Sequence, residues 1–222
     1  MTGETHIVAQ IKDALAVATE KGWANGMLKE WIDTALHISR DIRATISYDE
    51  SPNEIEDVAI AYTVKALGIS EATAEPNITI VGAGTIGQGL VTRLADLKIP
   101  CNWVYYRNVP AQVPSGATLH PWNQLQDIVF QSDCVMTAVA AKEPILTETM
   151  APRHAILLID LGAPRNIDPA LGTPPVKLVN MDDLQEWYAQ KSNVWDMRMK
   201  QAENLVQEHQ PMYQQIMRSF QN

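Results

Sequence analysis

Gly82, Gly84 and Gly87 stand at the spacing Gly-x-Gly-x-x-Gly. The apolar, β-branched run Ile78-Thr79-Ile80-Val81 precedes them, and a helical pattern follows. Strand, glycine turn, helix is the order that a dinucleotide pyrophosphate requires. The first glycine allows the tight turn and the second lets the backbone approach the phosphates. The third lets the helix pack close to the strand, with its N-terminal N–H groups aimed at the anion. Gly82, Gly84, Thr85, Ile86 and Gly87 are therefore the candidate phosphate cradle.

A second group refines the choice of ligand. NAD-preferring sites place Asp or Glu about 20 residues beyond the last glycine, where it accepts from the ribose hydroxyls. Here Tyr105-Tyr106-Arg107-Asn108 occupies that place. An acid would repel a 2′-phosphate, whereas Arg107 attracts one through charge-assisted hydrogen bonds. The expectation is NADPH rather than NADH, held by Tyr106, Arg107 and Asn108. Thr137, Ala138 and Gly162, at later strand ends, complete the candidate binding set.

Proton chemistry is less sharply written. His120, Lys142 and Asp160 are the candidate proton donors, and Arg165, which stays protonated, is an electrostatic stabiliser. Asp160 closes a buried strand and opens the loop Leu161-Gly162-Ala163-Pro164-Arg165-Asn166-Ile167-Asp168-Pro169. Asp160, Arg165 and Asp168 read either as a network that fixes this loop or as groups facing a substrate.

These residues need a scaffold. Between 76 and 175, strands are predicted at 77–81, 101–106, 133–139 and 155–161. Helices are predicted at 86–97 and 121–130, with a short one near 146–151. Alternation of this kind means an α/β fold: a doubly wound, mostly parallel, Rossmann-like sheet that binds ligands at the carboxyl ends of its strands. Residues 1–72 read as an N-terminal helical segment of three helices, 73–180 as the nucleotide-binding domain and 181–222 as a long C-terminal helix. In the first segment Gly22 and Gly68 mark helix ends and Asn25 a cap. Ser51-Pro52-Asn53-Glu54 forms a capping box. His6 and His37 read as structural or solvated. Asp182 or Asp183 is expected to cap the last helix, which carries Trp187, Tyr188, Lys191 and Trp195 and is kinked or interrupted at Pro211. From Leu184 to Gln210 it would extend about 40 Å at ~1.5 Å per residue. A helix of that length with an apolar stripe packs against the first helices or a second subunit.

Composition narrows the classes. The 222 residues are 46% apolar and carry a formal charge of −9, without a basic stripe, which disfavours nucleic acid. No run reaches the ~18 apolar residues of a membrane span. The N-terminus lacks the layout of a signal peptide. Cys101 and Cys134 each fall in a predicted buried strand, so a reduced, cytoplasmic protein is the simplest reading. No metal-ligand pattern is found.

Together the motifs resemble the glutamyl-tRNA reductase family. Ile7-Val8-Ala9-Gln10-Ile11-Lys12 and Arg40-Asp41-Ile42-Arg43-Ala44-Thr45 are similar to the segment closing that family's catalytic domain. Val81 to Gly87 is similar to its glycine loop, with Thr85-Ile86 in place of Glu-Met. Tyr106-Arg107-Asn108 stands at its Asn-Arg-Thr, and Asp160 to Pro169 is the most specific match. Asn180-Met181-Asp182-Asp183-Leu184 is similar to the start of its long spinal helix. The resemblance implies the NADPH-binding domain and spinal helix of such an enzyme. It leaves out the N-terminal domain with the nucleophilic cysteine, and the C-terminal dimerisation domain.

Three functions are consistent with this pattern. The first is an NADPH-dependent reductase acting on a small carbonyl, an imine, or an activated acyl group on a carrier or partner protein. The second is a nucleotide-binding assembly or regulatory module, docking through the C-terminal helix as a homodimer or hetero-complex. The third is a dehydrogenase of tetrapyrrole precursors.

Overall fold

The computed structural model describes residues 5–45, 54–70, 76–150, 152–190 and 193–219. The helices are α1 (Thr5–Glu20), α2 (Gly26–Thr45), α3 (Ile55–Leu67), α4 (Thr85–Asp96), α5 (Leu125–Val129), α6 (Met181–Ala189) and α7 (Asn193–Ser219). The strands are β1 (Ile78–Val81), β2 (Cys101–Tyr105), β3 (Ala117–Pro121), β4 (Cys134–Thr137), β5 (Ile156–Asp160) and β6 (Val176–Asn180). Two compact units result, Met1–Glu54 with Tyr188–Asn222, and Ile55–Trp187.

The second unit is the expected α/β fold. Its six strands run in the order β3-β2-β1-β4-β5-β6, and every pair is parallel. β1, β4 and β5 are buried at every residue, as continuous apolar runs covered on both faces must be. The parallel register lines up His120, Val104, Val81, Thr137, Asp160 and Asn180, so the carboxyl ends of all six strands lie along one sheet edge, with Tyr105 and Pro121 one residue further out. The order reverses between β1 and β4, which is where ligands bind in such sheets. Beneath that edge, Val81, Val104, Leu125, Val135, Leu158 and Ile167 pack into one apolar core. The Asp57–Arg93 ion pair joins α3 to α4.

Two strands lie outside the predicted set. Residues 121–130 were expected to be helical, but Pro121 ends β3, Trp122–Gln124 form a 3-10 turn, and α5 begins only at Leu125. β3 and β6 are the sheet edges and are only partly buried, so neither shows the apolar run of the central strands. An edge also tolerates a proline, which lacks a ladder donor. The short helix near 146–151 is a 3-10 turn at Glu148–Met150.

In the helical unit, Leu15 of α1, Ile38 of α2, and Ala202 and Ile216 of α7 are buried. Trp31 and Tyr213 meet edge to face with ring centroids 6.0 Å apart. Gly22 follows α1 at φ 68°, and Asn25 Oδ1 accepts from Leu28 N at 2.8 Å, capping α2. The C-terminal region forms α6 and α7 rather than one helix starting at Leu184, and α7 continues through Pro211. Asn180 caps α6, accepting from Asp182 N at 2.8 Å. Asp183 reaches back to accept from Asn180 N at 2.9 Å, so the cap is Asn180 and Asp183 is its reciprocal partner. Ser51, Pro52 and Asn53 of the proposed capping box, and Lys191, lie outside the described residues, as do the side chains of His6 and Trp195.

Candidate functional site

The strand-end edge carries a cleft of about 780 Å³, lined by Gly82, Gly84, Tyr106, Arg107, Asn108, Trp122 and the 138–143 stretch, among others. Gly82 has φ 118°, and a Cβ there would collide with the Ala138 carbonyl. The carbonyl of Gly82 is held by Trp103, whose indole N–H donates to it at 2.8 Å. Gly87 packs against the same carbonyl so closely that a Cβ would overlap it. Gly84 differs. A Cβ there meets no protein atom within 4 Å, so its lack of a side chain leaves space in the cleft rather than relieving an internal clash. Gly84 is also the N-cap of α4, and no side chain caps that helix or places an acid in its first turn. The uncapped first turn of α4 and the open space at Gly84 fit a phosphate.

The β2 end supplies the other charge. Arg107 lies over the Tyr106 ring, with Cζ 5.0 Å from its centroid. Tyr106 meets Trp122 at a centroid distance of 4.6 Å. Among the described residues Arg107 has no carboxylate partner. The place where an acid was absent from the sequence thus holds a guanidinium stacked over the Tyr106 ring.

The remaining candidates separate. Ala138 lines the cleft, and so does Lys142 on its rim. Thr85 and Ile86 begin α4 next to the loop. Thr137, at the end of β4, is buried and its hydroxyl donates to Asp160 Oδ1 at 3.4 Å. Asp160 is 2% exposed. Its carboxylate accepts from Gly162 N at 2.9 Å, Asn166 N at 3.0 Å and Ile167 N at 3.0 Å, which makes it the anchor of the 161–168 loop. Gly162 lies tight against the Asn166 amide, where a Cβ would overlap. Arg165 is exposed and approaches Asp182 at 3.9 Å. Asp168 caps the following 3-10 turn through Ala170 N. His120 is hydrogen-bonded through Nε2 to Asn102 Oδ1 at 2.9 Å and through Nδ1 to Gln124 Oε1 at 3.0 Å. Neither His120, Asp160 nor Arg165 is among the cleft-lining residues.

Three residues absent from the candidate set shape this site: Trp103, Trp122 and Asn166. Asn166 Oδ1 accepts from Val139 N at 2.7 Å and its Nδ2 donates to Val139 O at 2.9 Å, which ties the β5 loop to the β4 loop. Apolar or neutral side chains without a motif give no local signal for such roles. Cys101 and Cys134 are buried, with thiols pushed up to about 11 and about 12 by burial. Neither is a nucleophile in the folded protein. Among the described residues no cluster of metal ligands occurs, and no helix is long and apolar enough to cross a membrane.

Glutamyl-tRNA reductase 1 of Pyrobaculum arsenaticum is 25% identical over 98% of this chain and 55% of its own length. The glutamyl-tRNA reductase of Salinibacter ruber is 27% identical over 93% of this chain and 45% of its own. The chain spans about half the length of the curated relatives it matches. Among solved structures, glutamyl-tRNA reductase from Methanopyrus kandleri has the same fold, with a TM-score of 0.55 and 22% identity over 98% of this chain and 57% of that one. Residues 65–187, more than half of the chain, match the family described as Shikimate / quinate 5-dehydrogenase. The chain therefore belongs to that family of Rossmann-type dehydrogenase modules, and the glutamyl-tRNA reductases are relatives similar to it over nearly its whole length.

Proposed function

We infer that this chain is an NADPH-binding reductase module that serves a carbonyl, an imine, or an activated acyl group brought by a carrier or partner protein. The observation that carries the reading is the pairing, in one cleft, of the open Gly84 cradle with an Arg107 that no described carboxylate neutralises. When bound, NADPH supplies a hydride. The chain's own residues do the rest. Gly82 and Gly84 with the first turn of α4 hold the pyrophosphate, and Arg107 takes the 2′-phosphate. Ala138 and Val139 form the wall at the β4 end, and Lys142 is the proton-donor candidate that the cleft itself presents. Asp160 keeps the wall in place through Asn166. Because Cys101 and Cys134 are buried, neither carries a thioester into the cleft.

NADPH titration of the purified chain, followed by nucleotide fluorescence, tests this. Saturable binding, tighter for NADPH than for NADH, is expected. Absence of saturable binding for both overturns it. A second reading, a nucleotide-binding assembly module working with a catalytic partner, is favoured by apolar side chains exposed on the helical unit, including Ile11, Trp23, Leu28 and Trp31. Oxidation of NADPH by the chain alone with any member of a carbonyl panel counts against that reading.

A further inference from the structure

We propose that Trp122 is a base-stacking platform for the adenine end of the nucleotide, a role that rests on the NADPH reading above. Trp122 directly follows Pro121, at the carboxyl end of β3, and opens a 3-10 turn. It is half-buried and packs on the apolar core beneath the sheet edge, which fixes the ring, yet it also lines the cleft. Tyr106 touches it at 4.6 Å with the rings inclined by 59°, and the Arg107 guanidinium sits 5.0 Å above Tyr106. The three side chains thus form one continuous surface at the β2–β3 end: rigid indole, phenol, cation. The β4 end of the cleft, by contrast, carries no aromatic ring: Ala138, Val139, Ala140 and Ala141 are followed there by Lys142 and Glu143. A large planar base fits the aromatic end, and a phosphate on its ribose then falls near Arg107. Stacking needs no base-edge hydrogen bond and tolerates an exposed site. Trp122 thereby selects a planar base, while Arg107 selects the phosphate.

The test uses the full chain with NADPH and 2′,5′-ADP as probes, and the variants Trp122→Leu and Trp122→Phe. Leucine keeps apolar packing on the core and removes the ring face. Phenylalanine keeps a smaller ring. Trp122→Leu is expected to weaken both probes about tenfold or more, and Trp122→Phe to stay within about threefold. Trp122→Leu binding as tightly as the wild type overturns the proposal. A second readout guards against a misfolded variant. Of the six tryptophans, Trp122 is the one that 2′,5′-ADP should quench, so the quench seen in the wild type should vanish in Trp122→Phe at saturating ligand. An unchanged quench in Trp122→Phe overturns it equally. If the wild type binds neither probe, the NADPH reading itself has failed. If it binds both and only the Trp122 effects are missing, that reading stands and the stacking role falls.

Discussion

Asn166 pairs with both backbone groups of Val139, accepting from its N–H at 2.7 Å and donating to its carbonyl at 2.9 Å. A buried side-chain amide here imitates a strand partner, and it joins the loops after β4 and β5 alongside the short backbone bridge between Leu146 and Ile167. The Asn166 backbone is in turn held by Asp160. The cleft wall at Val139 is therefore suspended from a carboxylate at the end of the neighbouring strand, β5.

Removing the amide should expose that dependence. Asn166→Ala removes the acceptor of the part-buried Val139 N–H, while the Val139 carbonyl keeps its bond from Ala141 N, and is expected to destabilise the fold by about 1–2 kcal/mol. Urea unfolding measures this. Nucleotide affinity should fall as well, because Val139 lines the cleft. A variant with unchanged stability would refute the anchoring role.

Asp160→Asn tests the anchor rather than the wall. The carboxylate accepts backbone N–H groups on both oxygens. An amide offers only one acceptor and turns its NH₂ toward donors. A loss of about 1.5–3 kcal/mol is expected, with binding of NADPH affected only as far as the loop loosens. If the variant keeps full stability but loses all turnover, Asp160 is a catalytic acid and not an anchor.

Gly84 and Gly87 should separate fold from ligand. Gly87→Ala places a methyl group on the Gly82 carbonyl, and overpacking of this kind costs about 1–3 kcal/mol. Gly84→Ala meets no protein atom, so its stability cost should be the smaller one, about 0.5–1 kcal/mol for a poorer N-cap, yet it should weaken NADPH by filling the cradle. Paired thermal melts and titrations read both effects.

Arg107→Ala should weaken NADPH about tenfold or more and leave NADH within about twofold, since only one of them carries the 2′-phosphate that a charge-assisted contact recognises. Equal losses for both nucleotides would remove the phosphate-selecting role of Arg107.

The cysteines predict an alkaline limit to stability. Folding raises the Cys101 thiol to about 11 and the Cys134 thiol to about 12 through burial. A raised folded value favours the folded state below the ordinary thiol range, near 8.5, and that advantage is lost as pH climbs toward the folded values. Stability should therefore fall above about pH 9, by up to about 1.4 kcal/mol per pH unit for each thiol. Cys134→Ala should flatten the slope. Thiol reagents at pH 8 should label the unfolded chain and spare the native one.

The amino-acid order by itself determined the parts whose causes are local. A β-branched run followed by Gly82-x-Gly84-x-x-Gly87 dictates strand, turn and helix, because only glycine accepts φ 118° beside the Ala138 carbonyl. Asn25, Gly22 and the continuous apolar strands were legible for the same reason. The position of Arg107 after β2 was also readable, since it depends on counting along one strand–helix–strand unit. Tertiary structure decided what depends on distant partners. β3 and β6 lie at the edges and escape the apolar pattern of buried strands. Asp160 became a loop anchor because its carboxylate is buried among backbone donors, while Lys142 stayed on the cleft rim. Asn166, Trp103 and Trp122 carry no motif, and only packing across separate strands brings them to the glycine loop and its cleft.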